Sequence, residues 1–444
     1  MGRICRILLL VAVLTLPAAA RDYTIEELFE LALSDDARLA QLDADLSLAE
    51  SSVTAATGAF HPDLSASFRA AYTSELPEME QPNGMGGTVN VEAGVKDTYA
   101  AALTARQVIF AGFARREGLA AAKNALAGAR YQRLMREDAL RFSLLQAAYS
   151  YKLADLSVGS LEASLARLEL NRRRVVSFLD QGFASELDLL EIDSSIAELQ
   201  LQLRQQQTDR RNALIRLREL SGADDLDQVS LSAVYLALPD PRALEIRGEK
   251  LSGNASFRAL DYRLAAKEIE KELAKSAWYP KLSAFGTFNY GRPGANFFAD
   301  EWQFYYTAGL EVSLDIWDGG ERGASVKSAG AASERVIAER AELFRSLLAR
   351  GERTEESLHS ANDQLSTAEE LLTQKQRKYN LVHQLWEAGQ QSTLEVLEAE
   401  QELTAADIRT KRLEIRLLSL YQEFLLLINK PLWDHSNSER SGQQ

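Results

Sequence analysis

The sequence predicts a mainly α-helical chain with a small β part, in which long coiled-coil helices join the amphipathic strands of a transmembrane barrel, four strands per chain. Three observations predict it. Two proline-free stretches of about seventy residues are rich in Ala, Leu, Arg and Glu, which favour helix. Short segments beside them alternate apolar and polar residues, the pattern of a membrane-barrel strand. And most of the chain is written twice.

The repeat sets the organisation. AFHPDLSASFRAAY at 59–72 returns as AWYPKLSAFGTFNY at 277–290, an offset of 218 that also relates 36–46 to 254–264. A second offset, 207, relates 102–115 to 309–322 and carries Gly182 and Ser185 onto Gly389 and Ser392. The difference falls between Pro62 and Arg106, so the first copy holds a longer excursion around EMEQPNGMGG (78–87). This is a tandem duplication of one large unit, roughly 21–227 and 228–444, joined through a segment containing Pro239 and Pro241.

The helices follow from an uninterrupted heptad seam. No proline stands between Gly112 and Gly182 or between Gly319 and Gly389. The return segments space Leu189, Ile192, Ile196, Leu199 and Leu203 three-four-three-four, with Val396, Ala399 and Leu403 as counterparts. That period of 3.5 supercoils against neighbouring helices. An N-terminal helix over about 28–60 carries the same seam at Leu39, Leu42, Leu46, Ala49, Val53 and Ala56. Seventy helical residues extend about 105 Å, which 36 and 33 residues stacked end to end match.

At Pro62 and Pro280 the period changes to 2. Two strand hairpins are expected, over about 63–110 and 281–317. Leu64, Ala66, Phe68, Ala70 and Tyr72 share one face; Phe304, Tyr306, Ala308, Leu310, Val312, Leu314 and Ile316 share another. Trp302, Phe304, Tyr305 and Tyr306 at one end, with Phe110 and Trp317 at the other, suit aromatic girdles. A soluble sandwich is the alternative, but two separated hairpins offer it little core. Four strands cannot close a membrane barrel, which takes eight or more, so strands in lipid require several chains: two give eight, three give twelve.

Composition narrows the rest. MGRICR, a ten-residue apolar run and Ala18-Ala19-Ala20 read as a secretory signal peptide over residues 1–20. Without it the only cysteine, Cys5, is gone, which excludes disulfides and thiolate metal sites. Loss of Arg3 and Arg6 takes the net charge from −14 to −16, a poor footing for nucleic-acid binding. His61, His359, His383 and His435 lack metal-ligand spacing, no cofactor motif is present, and no constellation for an enzyme emerges. His359 and His383 read as polar helix-face residues, Arg172-Arg173-Arg174 as a solvated face, Trp386 as packing, and the tail after Pro431 as disordered.

YTIEELFELAL after the signal, the paired A-(F/W)-x-P-x-L-S segments, (F/W)-x-G at 110–112 and 317–319, and G-x-x-S-x-L-(D/E)-(L/V)-L-E at 182–191 and 389–398 form an ordered set. Together they resemble the TolC family of outer-membrane efflux and secretion proteins, over nearly the whole mature chain. The resemblance implies a homotrimer with a twelve-stranded transmembrane β-barrel in outer-membrane lipid and an α-helical barrel reaching across the periplasm of a Gram-negative cell. It implies a passive exit duct of tripartite efflux or type I secretion, not an enzyme. Its partners would be a periplasmic adaptor (membrane fusion) protein and an inner-membrane pump of the RND or ABC type. A soluble periplasmic coiled-coil scaffold or adaptor is the other reading of the same helices.

The tips, 182–185 and 389–392, carry the site candidates. Gly182 and Gly389 suit a left-handed helix end, Ser185 and Ser392 suit N-caps, and Asp188 and Glu395 stand in capping-box position. By resemblance these tips dock the adaptor, and Glu395, Glu398 and Asp188 line the periplasmic gate. Glu395 is open to both readings, cap or gate; Glu398 lies beyond the capping position. Gln391 stands where some relatives carry a basic residue that locks the tip.

Overall fold

The structure, a computed structural model, describes residues 21–82, 84, 88–92, 94–230, 248–296 and 299–430. The expected signal peptide, Pro239 and Pro241 of the joining segment, and the tail after Pro431 lie outside these residues. In chain order the elements are β1 (Arg21–Thr24), α1 (Ile25–Asp35), α2 (Ala37–Gly58), β2 (Asp63–Tyr72), β3 (Glu78–Pro82), β4 (Thr88–Glu92) and β5 (Asp97–Ala111). Then come α3 (Ala114–Asp180), α4 (Glu186–Ser221), β6 (Leu226–Ser230), α5 (Gly248–Leu251), α6 (Ala255–Lys275), β7 (Lys281–Arg292), β8 (Gln303–Ser313), α7 (Glu321–Glu387) and α8 (Thr393–Leu427). Two compact units result, and each draws one or more segments from both sequence halves.

The first unit, residues 42–132 and 258–342, holds an antiparallel sheet in the order β2-β5-β7-β8. Register sorts its side chains. Leu64, Phe68 and Tyr72 of β2 share a face with Leu103 of β5, Phe288 and Tyr290 of β7, and Phe304, Tyr306, Leu310 and Val312 of β8. All are large, apolar and exposed; Phe68 and Tyr306 are each 71% exposed. The opposite face is polar. Ser65, Thr104, Thr287 and Thr307 run across it as one row, Thr104 and Thr287 hydroxyls 3.2 Å apart, and Arg106 meets Glu311 at 3.4 Å. β2 and β8 have one neighbour each, so both long edges of the sheet are open.

Two expectations are corrected here. Tyr305 pairs with Asn289 on the polar face, so it does not belong to the girdle with Phe304 and Tyr306. The fourth strand stops at Ser313 rather than near 317, because Asp315 and Asp318 are drawn into the start of α7. Trp302 does stack, 5.1 Å from Tyr290 and 6.0 Å from Tyr99. The excursion of the first copy is a second small hairpin, β3 against β4.

The hand-over from strand to long helix is fastened the same way twice. Arg115, in the first turn of α3, donates to the Ile109 carbonyl at 2.6 Å and stands 5.3 Å from the centre of the Phe60 ring. Arg322, 207 residues on, donates to the Asp315 carbonyl and to Asp318 Oδ2, each at 2.7 Å, and stands 4.5 Å over Trp278. Phe60 and Trp278 are the aromatic residues of the repeated A-(F/W)-x-P segments. A guanidinium over a ring is held by the ring's quadrupole, by about 0.5–2 kcal/mol. The repeated motif therefore has a mechanical reason: its aromatic residue seats the arginine that turns strand into helix.

The second unit comprises the described residues of 21–41, 133–257 and 343–430. The seam residues Ile192, Leu199, Ala213 and Leu217 of α4 and Val396, Ala399, Leu403, Ala406, Thr410, Leu413, Leu417, Phe424 and Leu427 of α8 are buried, as the heptads require. The N-terminal helix is not continuous. Asp36 separates α1 from α2, its Oδ1 accepting from the Leu39 N–H at 2.7 Å while Arg136 pairs with its carboxylate. Part of the joining segment is also ordered: β6 pairs in parallel with β1, and the Tyr23 hydroxyl donates to Asp225 at 2.6 Å. Ile25, Leu28, Leu144, Leu217, Leu226 and Leu251, all fully buried, pack together around this pair.

Candidate functional site at the helix tips

Both tips close as the sequence dictates. Gly182 (φ +79°) and Gly389 (φ +74°) take the left-handed conformation that an L side chain resists. Each then satisfies its helix's last carbonyls in the same pattern. Gly182 N–H donates to Leu179 O and Phe183 N–H to Phe178 O; Gly389 and Gln390 do likewise to Trp386 O and Leu385 O. Ser185 and Asp188, and Ser392 and Glu395, form complete capping boxes: each serine N–H donates to the acid, at 2.8 and 3.1 Å, and each serine hydroxyl accepts from the acid's own N–H.

The acids are not equivalent. The Ser185 hydroxyl, and then its N–H and the Thr393 hydroxyl, hold the Asp188 carboxyl below the ordinary range against partial burial. Asp188 of the first tip is thus tied to the first residue of α8. Thr393 is itself buried and accepts from Trp386 Nε1 at 3.4 Å, and Trp386, 3% exposed, meets Phe178 edge-on at 5.7 Å. Trp386 is packing, as expected. Glu395 is exposed and engaged as a cap, and the Gln391 side-chain amide, its nitrogen turned toward Glu395, donates to it as well. Glu398 is exposed and makes no hydrogen bond or ion pair among the described residues. With Leu187, Leu190, Glu191, Glu198 and Leu394 it lines a groove of about 500 Å³ between α4 and α8.

Above the tips, polar contacts that helix periodicity alone does not reveal run both within the first hairpin and between the two. Arg172 pairs with Asp193 of α4 and Arg174 with Glu387 of α7; Arg173 and Arg174 are exposed, so the arginine run is a largely solvated face that also carries two ion pairs. His383 is likewise no simple face residue. Its Nε2 lies 3.1 Å from Asn171 Oδ1, and its ring sits between Tyr379 and Trp386. Burial, then the Arg174 charge, push its pKa down; Glu387, 3.6 Å from Nδ1, is already bound to Arg174. A histidine with a depressed folded pKa is neutral when folded, whereas the unfolded chain takes up a proton as pH falls through about 6.5. The unfolded state then binds more protons, so stability falls on acidification. The apparent melting temperature is expected to drop between about pH 7.5 and 5.5, and H383N is expected to flatten that slope. An equal slope in both proteins counts against it.

The described residues contain no helix long and apolar enough to cross a membrane. The surface suited to lipid is the apolar face of the sheet. Long helical hairpins and an amphipathic, open-edged sheet are the parts expected of an outer-membrane channel protein. A family model described as "Outer membrane efflux protein" matches residues 247–423. The pyoverdine export outer membrane protein OpmQ of Pseudomonas aeruginosa is 25% identical over 403 residues, 89% of this chain and 82% of that protein. Among solved structures, CusC aligns at a TM-score of 0.78 with 16% identity, covering 94% of this chain and 96% of its own. The outer membrane protein VceC of Vibrio cholerae aligns at 0.75 with 17% identity, covering 92% and 96%. Over residues 247–423 the chain matches the outer membrane efflux protein family, and along most of its length it is similar to OpmQ and shares the fold of CusC and VceC.

Proposed function

We propose that three copies of this chain pool their sheets into a twelve-stranded barrel and their hairpins into a helical duct that opens, at the tips, to the periplasm. The duct is a passive exit for efflux or type I secretion, and no chemistry is done on the cargo. The observation that carries this reading is the sheet: an exposed apolar face of Leu64, Phe68, Phe288, Tyr306 and Leu310 beside two unpaired edges. Such a surface in water exposes both an apolar patch and open backbone donors, and closure in lipid removes both liabilities.

At the helix tips, Glu398 and Glu395, together with Asp188, form the gate. Both glutamates are exposed, and three copies of each converging on one axis repel unless cations screen them. The turns at Gly182–Ser185 and Gly389–Ser392 are the docking points for a periplasmic adaptor, through which an inner-membrane pump of the RND or ABC type delivers cargo. OpmQ is an export protein for pyoverdine; for this chain the cargo follows from the pump. The test is bilayer conductance of the purified protein. The E395A/E398A variant is expected to lose most of the wild-type cation preference. Unchanged selectivity would remove the gate from this reading.

A further inference from the structure

The repeat supplies a template for the two open edges of the sheet. Within the chain, β5 of the first half pairs with β7 of the second. An offset of 207 carries β5 onto β8, and an offset of 218 carries β2 onto β7. β8 and β2 are the strands with one neighbour each. The β5–β7 joint thus has a counterpart that needs β8 of one chain and β2 of another.

β8 shows where that second strand belongs. β5 runs 15 residues, Asp97–Ala111, and β8 runs 11, Gln303–Ser313. Gln107, Val108 and Phe110 continue β5 by pairing with Ala284, Ser283 and Leu282. Their counterparts Leu314, Asp315 and Trp317 have no strand beside them among the described residues, and Ile316 and Trp317 are 90% and 86% exposed. Phe110 rests edge-on against Tyr279, 6.5 Å between ring centres. Gly112 lies against the same turn: a Cβ there would stand 2.5 Å from the Ser276 carbonyl oxygen and 2.7 Å from the Tyr279 Cβ. Gly319 has the same left-handed backbone, φ +68° against +60°, and a Cβ there would meet nothing within 4 Å among the described residues. The counterparts of Ser276 and Tyr279 are Gly58 and His61, just ahead of β2.

Charge selects the same register as the repeat. Carried across by the two offsets, the pair Thr104–Thr287 becomes Glu311–Arg69, and Ala101–Tyr290 becomes Ala308–Tyr72. Arg69 and Glu311 both lie on the polar face of the sheet. Glu311 meets Arg106 of its own chain, whereas Arg69 has no ion-pair or hydrogen-bond partner among the described residues. Opposite charges placed directly across two strands attract. A slip of one place would turn the apolar side chains to the wrong face. A slip of two would set Glu311 against Ser67 or Ala71 and leave Arg69 against Gly309 or Ser313.

We infer that β8 of one chain and β2 of the next join in the register of the β5–β7 joint. Glu311 bridges Arg106 of its own chain and Arg69 of the next, and Trp317 seats on His61 of the next. The partner for this edge is a second copy of the chain, and the inference rests on the three-copy reading above. Cys5, the only cysteine, lies ahead of the described residues, so cysteine pairs report cleanly. In R69C/E311C the facing Cα atoms would lie about 5 Å apart, within disulfide reach. In S67C/E311C and A71C/E311C, two places out of register, about 8 Å would separate them, which is beyond it. Oxidised in outer membranes, R69C/E311C is expected to run mostly as a covalent trimer on non-reducing gels, and the two displaced pairs as monomers. T104C/T287C, the template pair, is expected to lose both thiols without linking chains. If R69C/E311C does not assemble for want of its ion pair, A70C/L310C reads the same register on the apolar face. Preferential linking of a displaced pair overturns the register. Free thiols in both R69C/E311C and A70C/L310C, with T104C/T287C oxidised and the protein trimeric by mass in detergent, overturn the joint and leave the three-copy reading standing. A monomer in detergent ends both. The ion pair has its own readout. R69Q and E311Q are each expected to lower the temperature at which the trimer dissociates, and R69Q/E311Q no further than E311Q. An additive loss in the double variant overturns the bridge.

Discussion

Leu310→Arg is expected to abolish most outer-membrane accumulation of the protein, because it places a guanidinium on the lipid side of β8. Leu310 is 70% exposed and pairs with Ala284 on the apolar face. A charge near the middle of a barrel strand on that face costs about 2–4 kcal/mol, and three chains would each bear it. Thr307→Arg is the paired control. Thr307 sits three residues away on the polar face, opposite Thr287. It is expected to insert like the wild type. Both are read by fractionation and by the shift between heated and unheated samples on detergent gels. Equal insertion of the two variants would mean that the apolar face does not meet lipid.

Trp386→Ala is expected to have the other large effect, in the helical unit. The indole fills the space between Phe178 of α3, the His383 ring and Thr393 of α8. Removing a buried aromatic of this size costs about 3–5 kcal/mol, part transfer and part cavity. Loss of the Nε1 donor also frees Thr393, which helps hold Asp188. Thermal denaturation in detergent is expected to show a lowered midpoint, with tryptic cleavage appearing first near the tips. Trp386→Phe keeps most of the packing and is expected to recover more than half of the loss. A Trp386→Ala variant as stable as the wild type would show that the tips do not fold as one packed unit.

Much of this was readable in the sequence because it is local. A seam of period 3.5 fixes which face of α4 and α8 is buried, and the structure buries Ile192, Val396 and Leu403 accordingly. The alternation after Pro62 and Pro280 fixes the two faces of each strand, since the side-chain period in a strand is 2. S-x-x-D and S-x-x-E announce their own hydrogen bonds over three residues. What escaped was non-local. β1 and β6 are short and find each other across some two hundred residues, and no local pattern specifies such a parallel pair. Asp36 lies three residues before the first seam position, Leu39, and neither proline nor glycine marks the break there. Glu400 is a glutamate outside the seam of a helix, which reads as solvent-facing. Its burial depends on Arg167 and Ser164, more than two hundred residues earlier. The residues proposed for the gate were marked by position in a motif and not by any property of their own. Their geometry adds that Glu395 is already engaged in capping, whereas Glu398 is free of partners among the described residues.

The paired arginine fasteners bear on ancestry. Among the described residues Arg115 reaches Ala59, Phe60 and Ile109, and Arg322 reaches Trp278, Asp315 and Asp318, so each junction draws on its own half. A ring of six identical half-length chains would need no junction that is not already here. Fusion of two such genes would have released the copies from identity, leaving one free to exchange an arginine for Tyr379 while its twin kept Arg172.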